Sequence, residues 1–131
     1  MAGLVVVDTD LVIDFLRGKG PGAPLVRELI VNHRFRVTAI TAFELRLGAD
    51  FLARRDDILR VVRSRTFPLD AASALRGGEV AATLRGAGQD IGLADCLQAG
   101  TCLNFDLPFA TRNPKHFNRV EGLRLVDIAT N

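Results

Sequence analysis

Hydrophobic and polar positions along this chain follow two regimes: short apolar runs rich in β-branched residues, and stretches where apolar residues return every three or four positions. Leu4, Val5, Val6 and Val7 form a run of the first kind, the pattern of a strand buried on both faces of a parallel sheet. The run stops at Asp8-Thr9-Asp10. A helix is predicted over residues 11–16 and is broken by the glycines and proline of residues 17–22. A second helix, residues 23–32, carries Leu25, Val26, Leu29 and Ile30 at helical spacing, and residues 35–40 read as a strand. Thr41 and Glu44 have the residue types of a capping box opening the next helix, with Leu45, Leu47, Phe51 and Leu52 as its apolar side. A further helix over residues 56–62 precedes a short strand at 66–69. Asp70 then caps a helix running from 71 to 84, whose Gly77 and Gly78 allow another element to approach closely. After the loop at 86–88, Ile91 to Asp95 leads into a helix that reaches Leu103. A strand at 107–111, a turn at 111–114, a helical piece at 115–117 and a final strand at 123–128 complete the order.

Strands alternating with helices imply an α/β domain with a mostly parallel central sheet flanked by helices. At 131 residues with 48% hydrophobic and 24% charged side chains, the chain has the balance of one globular domain, 1–131, rather than two or a disordered segment. No apolar run is long enough to cross a bilayer, and the N-terminus lacks the pattern of a signal peptide, so a cytoplasmic location and no membrane partner are expected. Cys96 and Cys102 would lie about 9 Å apart along one helix, beyond disulfide reach, and are expected to be reduced core thiols.

Net charge is only +2, but the basic residues cluster. Arg54, Arg55, Arg60, Arg63 and Arg65 face Asp56 and Asp57 in one segment; Arg112, Lys115, Arg119 and Arg124 face Glu121 in another. Such clusters can meet phosphates, although a solvated helix face is the simpler reading of the first.

Asp8, Glu44 and Asp95 each fall at a strand end or in the first turn of the helix after it, points that gather at one edge of a parallel sheet. Three converging carboxylates repel one another unless a cation shares the site. Hard oxygen donors without histidine or cysteine suit Mg²⁺ or Mn²⁺, which supports metal-assisted phosphodiester hydrolysis. Each acid also has a structural alternative: Glu44 in its capping box, Asp95 favouring a helix N-terminus, and Asp8 capping the first helix, with Asp10 available for the same task.

The string from Val7 to Gly18 resembles the N-terminal signature of PIN-domain ribonucleases, in particular the VapC toxins of toxin–antitoxin pairs. So do Thr41-Ala42-Phe43-Glu44-Leu45, Ile91-Gly92-Leu93-Ala94-Asp95 and the block from Ala110 to Phe117. The resemblance implies a PIN fold, a Mg²⁺- or Mn²⁺-dependent endoribonuclease acting on RNA, an antitoxin partner that blocks the site, and a homodimer. On these motifs Asp8, Glu44 and Asp95 match the metal-binding acids, and Thr9 the hydroxyl residue that orders the first acid or its water. Asn113 falls where many relatives have a fourth acid; its amide can orient a ligand but supplies no charge. Arg112, Lys115 and Arg17 are candidates to hold RNA phosphates and His116 is a candidate base, while Asp10 and Asp14 read as supporting, antitoxin-facing or solvent-facing positions. Two other readings compete. An apolar strand before Asp-x-Asp also opens haloacid-dehalogenase-type phosphatases, with Asp8 as nucleophile and Asp10 as acid and base, although Leu11 and Val12 depart from that pattern. The other is a PIN-like domain that only binds.

Overall fold

A computed structural model describes residues 3–128. β1 (Val5–Val7) leads into α1 (Thr9–Arg17) and α2 (Gly22–Val31), and β2 (Phe35–Thr38) into α3 (Ala39–Leu47) and α4 (Phe51–Val62). β3 (Thr66–Phe67), α5 (Ala71–Gly86), α6 (Leu93–Asn104), β4 (Phe109–Ala110) and α7 (Pro114–Phe117) follow. The strands form one parallel sheet in the order β3-β2-β1-β4. The α/β architecture with a parallel sheet is the expected one.

The two-residue period of β1 divides the core. Val5 and Val7 pack with α1, α2, α4 and Val37 on one face, whereas Val6 packs with α5, α6, Phe109 and Phe117 on the other. Because both faces are covered, β1 is apolar throughout and has no polar alternation.

Two helix junctions set the site. The Asp8 N–H makes a ladder-type bond to the Ala110 carbonyl (2.9 Å), and the Asp8 carbonyl accepts from Leu11 and Val12; Asp8 is thus both the end of a strand and the N-cap of α1. On the far face, α5 and α6 cross where a Cβ on Gly100 would lie 2.3 Å from the Gly77 nitrogen. The close approach expected of Gly77 is therefore real, while a Cβ on Gly78 would meet nothing within 4 Å.

Several elements differ from the sequence reading. The strand at 35–40 ends at Thr38, whose hydroxyl accepts from the Thr41 N–H and caps α3; Thr41 lies inside the helix, so Thr41 and Glu44 form no capping box. Leu47 and Leu52 are 74% and 88% exposed instead of lining a buried side. α4 begins at Phe51, ahead of the expected 56, with a kink at Arg54 whose guanidinium donates to the Leu16 carbonyl. Pro68 has no N–H to extend β3, and α5 continues to Gly86. The final strand at 123–128 reduces to one parallel bridge, Leu125 to Phe109. Phe109 donates to the Arg124 carbonyl and accepts from the Val126 N–H, whereas the Pro108 and Ala110 carbonyls on either side of it are turned to Val6 and Asp8. Cys96 and Cys102 are free and buried, as expected.

Candidate active site

Asp8 is held from three sides. Its Oδ1 accepts from the Thr9 N–H (2.8 Å) and the Gln98 amide (3.1 Å), and its Oδ2 from the Thr111 hydroxyl (2.8 Å). Thr111 is oriented in turn by the Asn113 N–H (3.1 Å). These donors favour the charged carboxylate, yet burial outweighs them: with the repulsion of Asp95 and Asp10 added, the Asp8 pKa is pushed up to about 6.

Thr9 joins two of the acids. While its N–H reaches Asp8, its hydroxyl donates to Glu44 Oε1 (2.6 Å) and accepts from the Thr41 hydroxyl (2.9 Å). The Thr9 hydroxyl thus orders the second acid, and its backbone N–H helps to order the first. Glu44 reaches this position because α3 starts directly at the end of β2, placing the glutamate on the α3 face turned toward α1.

Asp95 lies in the first turn of α6, after an N-cap at Gly92. Burial raises its pKa; His116 opposes that shift, and Glu44 and Asp10 add to it. Glu44 and Asp10 thus lie near enough to Asp95, and Asp95 near enough to Asp8, for their charges to act there. His116 Nε2 lies 2.9 Å from the Ile91 carbonyl and 3.2 Å from Asp95 Oδ2, so it ties α7 to the start of α6.

Beneath the acids lies a polar network. Gln98 is 1% exposed; its Oε1 accepts from the Thr38 hydroxyl while its Nε2 faces Asp8. No buried side-chain nitrogen or oxygen among the described residues lacks a partner, so the network costs little and fixes the direction of each hydrogen bond. Sequence reasoning missed Gln98, Thr38 and Thr111. The available signal for Gln98 was its position three residues after Asp95 on the same helix face, a lone amide within an otherwise small and apolar run.

The expected phosphate ligands are placed unevenly. Arg17, at the far end of α1, gives two hydrogen bonds to Asp50 (2.8 and 3.0 Å) and does not reach the acids. Arg112 pairs with Asp14 at 3.2 Å, and Asp14 is buried and accepts the Gly22 N–H, so it is not a solvent-facing residue. Lys115 is exposed beside Asn113. Asp10 is exposed, but near enough to raise the pKa of both Asp8 and Asp95.

Among the described residues, no three acidic, imidazole or thiol side chains stand close enough to enclose an ion by themselves. The donor set nevertheless fits a hard, partly hydrated cation: oxygen-only acids, with a buried carboxylate whose charge its hydrogen bonds leave undercompensated. No described helix is long and apolar enough to cross a membrane.

The chain is 31% identical over 126 residues to ribonuclease VapC10 of Mycobacterium tuberculosis, covering 92% of this chain and 91% of that protein. It is 28% identical over 127 residues to the tRNA(fMet)-specific endonuclease VapC of Shigella flexneri, covering 93% and 96%. Its fold matches the crystal structure of DNA-bound VapBC from Salmonella typhimurium with a TM-score of 0.80 over 96% of this chain and 98% of that one, at 23% identity. The PIN domain family matches residues 5–123, and the chain belongs to that family.

Proposed function

We infer that this protein is a metal-dependent endoribonuclease that hydrolyses RNA phosphodiester bonds, the toxin of a type II toxin–antitoxin pair. The observation that carries the reading is Asp8 at the end of β1, with Thr9 bonded to both Asp8 and Glu44 and with Asp95 near enough to raise the Asp8 pKa. The ribonuclease names of relatives that span nearly the whole chain support it.

A divalent ion bound there, Mg²⁺ or Mn²⁺, supplies positive charge at the scissile phosphate and lowers the pKa of the attacking water. Asp8 and Asp95, with Glu44, would hold it, and Asn113 would orient a water without adding charge. The chain's own contribution is positional. Thr111, Gln98 and the Thr9 N–H fix both oxygens of Asp8, so the carboxylate does not turn during the reaction. Asp95, its pKa raised, can accept the proton of the attacking water, and His116 beside Oδ2 holds its rotamer. Lys115 is the exposed base placed to neutralise a phosphate near Asn113; Arg112 would first have to leave Asp14.

The haloacid-dehalogenase reading loses its footing in a chain that matches the PIN domain over residues 5–123. A homodimer and an antitoxin are the proposed partners. Phe43 and Leu47, one turn apart on α3 and 65% and 74% exposed, and Leu52 on α4, 88% exposed, are apolar side chains suited to such pairing. An enzyme acting on cellular RNA would work in the cytoplasm.

The test is incubation of the purified protein with total RNA. Discrete cuts that need Mg²⁺ or Mn²⁺ and stop in EDTA are expected. Intact RNA at every metal concentration would leave a PIN domain that only binds.

A further inference from the structure

At the opposite end of the sheet from the acids, Arg36, Arg55, Arg60, Arg63 and Arg65 line a cavity of about 690 Å³. One carboxylate, Asp56, shares its wall. The guanidiniums come from different elements: Arg36 from β2, Arg55 and Arg60 from α4, Arg63 and Arg65 from the connection to β3. A solvated helix face does not describe them, because residues from a strand, a helix and a loop are turned into one concavity.

Their existing partners leave most donors open. Arg36 and Arg65 each give one hydrogen bond to a backbone carbonyl, of Phe35 and Arg60. Arg60 meets Asp57 at 3.3 Å and Arg55 meets Asp56 at 3.7 Å, both pairs exposed. Arg63 has no side-chain hydrogen bond or ion pair among the described residues. A favourable interaction with the C-terminal end of α4 accounts for Arg60 and Arg63, but not for Arg36 or Arg65. Guanidiniums gathered around one cavity repel one another, and a polyanion relieves that repulsion.

The cavity adjoins a second one of about 320 Å³, which shares Arg36, Ser64 and Arg65 and is lined further along by Phe67, Pro68 and Phe105. The Phe67 and Phe105 rings lie 4.8 Å apart, tilted by 51°. Planar forks that bind phosphate bidentately, followed by partly exposed aromatic rings, are the parts of a surface that tracks a single-stranded backbone and stacks its bases. An acidic peptide would use the arginines and leave the rings idle.

We propose that this groove binds single-stranded RNA, as a contact site separate from the catalytic acids. The proposal rests on the ribonuclease reading for its choice of RNA. β2 connects the two sites: Arg36 lines the groove, and Thr38, two residues further along the strand, joins the network beneath Asp8, so the strand separates them by about 7 Å. Substrate would be gripped at a distance from the bond that is cut.

The experiment measures fluorescence anisotropy of a labelled single-stranded RNA of about 15 nucleotides, with full-length protein in EDTA across a salt series. Arg60→Ala/Arg63→Ala, two exposed positions, is expected to weaken binding about tenfold and to lower the salt slope by about 1.4, the loss of two phosphate contacts. Phe67→Leu is expected to weaken single-stranded RNA about fivefold and leave a duplex unchanged. Circular dichroism and thermal melting establish that both variants fold. In Mg²⁺, the double variant should raise KM for a long RNA while leaving kcat near wild type. Unchanged binding and salt slope in the folded double variant would overturn the proposal, even if the wild type cleaves RNA. A poly-glutamate peptide that binds as tightly as RNA and loses as much in that variant would overturn the choice of RNA. Wild-type RNA binding that depends on the arginines, without cleavage in Mg²⁺, would keep the groove and remove the ribonuclease reading.

Discussion

Burial pushes the Asp8 carboxyl up to about 6 from an ordinary 3.8, and this has a consequence for stability. Between about pH 4 and pH 6 the folded protein holds a proton at Asp8 that the unfolded chain has released, so stability falls as pH rises through that window and levels off above it. The full effect is on the order of 3 kcal/mol for a shift of this size, reduced in practice by relaxation around the site. Asp95, whose pKa is also raised, acts in the same direction. Thermal melts in EDTA from pH 4 to 7.5 should show Asp8→Asn gaining on the wild type as pH rises. A difference constant across that range would mean that the folded site does not penalise the charged carboxylate. Gln98 shows why such a site is only partly legible in sequence. The acids announce themselves at strand ends, but the amide that positions Asp8 lies ninety residues later, and its role depends on a helix crossing that no local pattern encodes.

Among the elements, α6 carries both Asp95 and Gln98, and its position is set by its contact with α5. A methyl group at Gly100 would overlap the backbone of Gly77 and the Ser73 carbonyl, at 2.3 to 2.7 Å. Gly100→Ala is therefore expected to destabilise the fold by about 3 kcal/mol, overpacking against backbone that cannot turn aside. Chemical denaturation would register this; an unchanged midpoint would show that the helices can separate without cost. Elements with complete local signals are the ones that sequence locates well. α2 (Gly22–Val31) lies within one residue of its predicted bounds, and Asp70 caps α5 through the Ser73 N–H as expected. The misreadings arise where two local rules compete. Both Thr38 and Thr41 can cap a helix; the end of the β2 ladder decides for Thr38, and this frees Glu44 to face Thr9. The expected strand at 123–128 has the right residue types but almost no partner to pair with.

On the scale of the whole molecule, the proposed functions are distributed over the ends and the flank of one sheet. The acids are assigned to its carboxyl edge, the arginine groove lies at the other end, and the exposed apolar side chains Phe43, Leu47 and Leu52 stand on α3 and α4. Large apolar side chains this exposed destabilise a monomer little, but they favour association. Leu47→Glu/Leu52→Glu is expected to halve the mass measured by light scattering; an unchanged mass would place the dimer contact elsewhere or exclude it. The central claim is that Asp8, Glu44 and Asp95 form one metal-dependent catalytic centre in which Asp10 is dispensable. Single-turnover cleavage of one RNA in Mg²⁺ by wild type, Asp8→Asn, Asp95→Asn and Asp10→Asn tests it most directly. The expected result is a loss of at least about a hundredfold in the first two variants, the scale of removing a principal electrostatic group, with Asp10→Asn within a few-fold of wild type. Equal cleavage by wild type and Asp8→Asn, or loss of activity in Asp10→Asn alone, would contradict it.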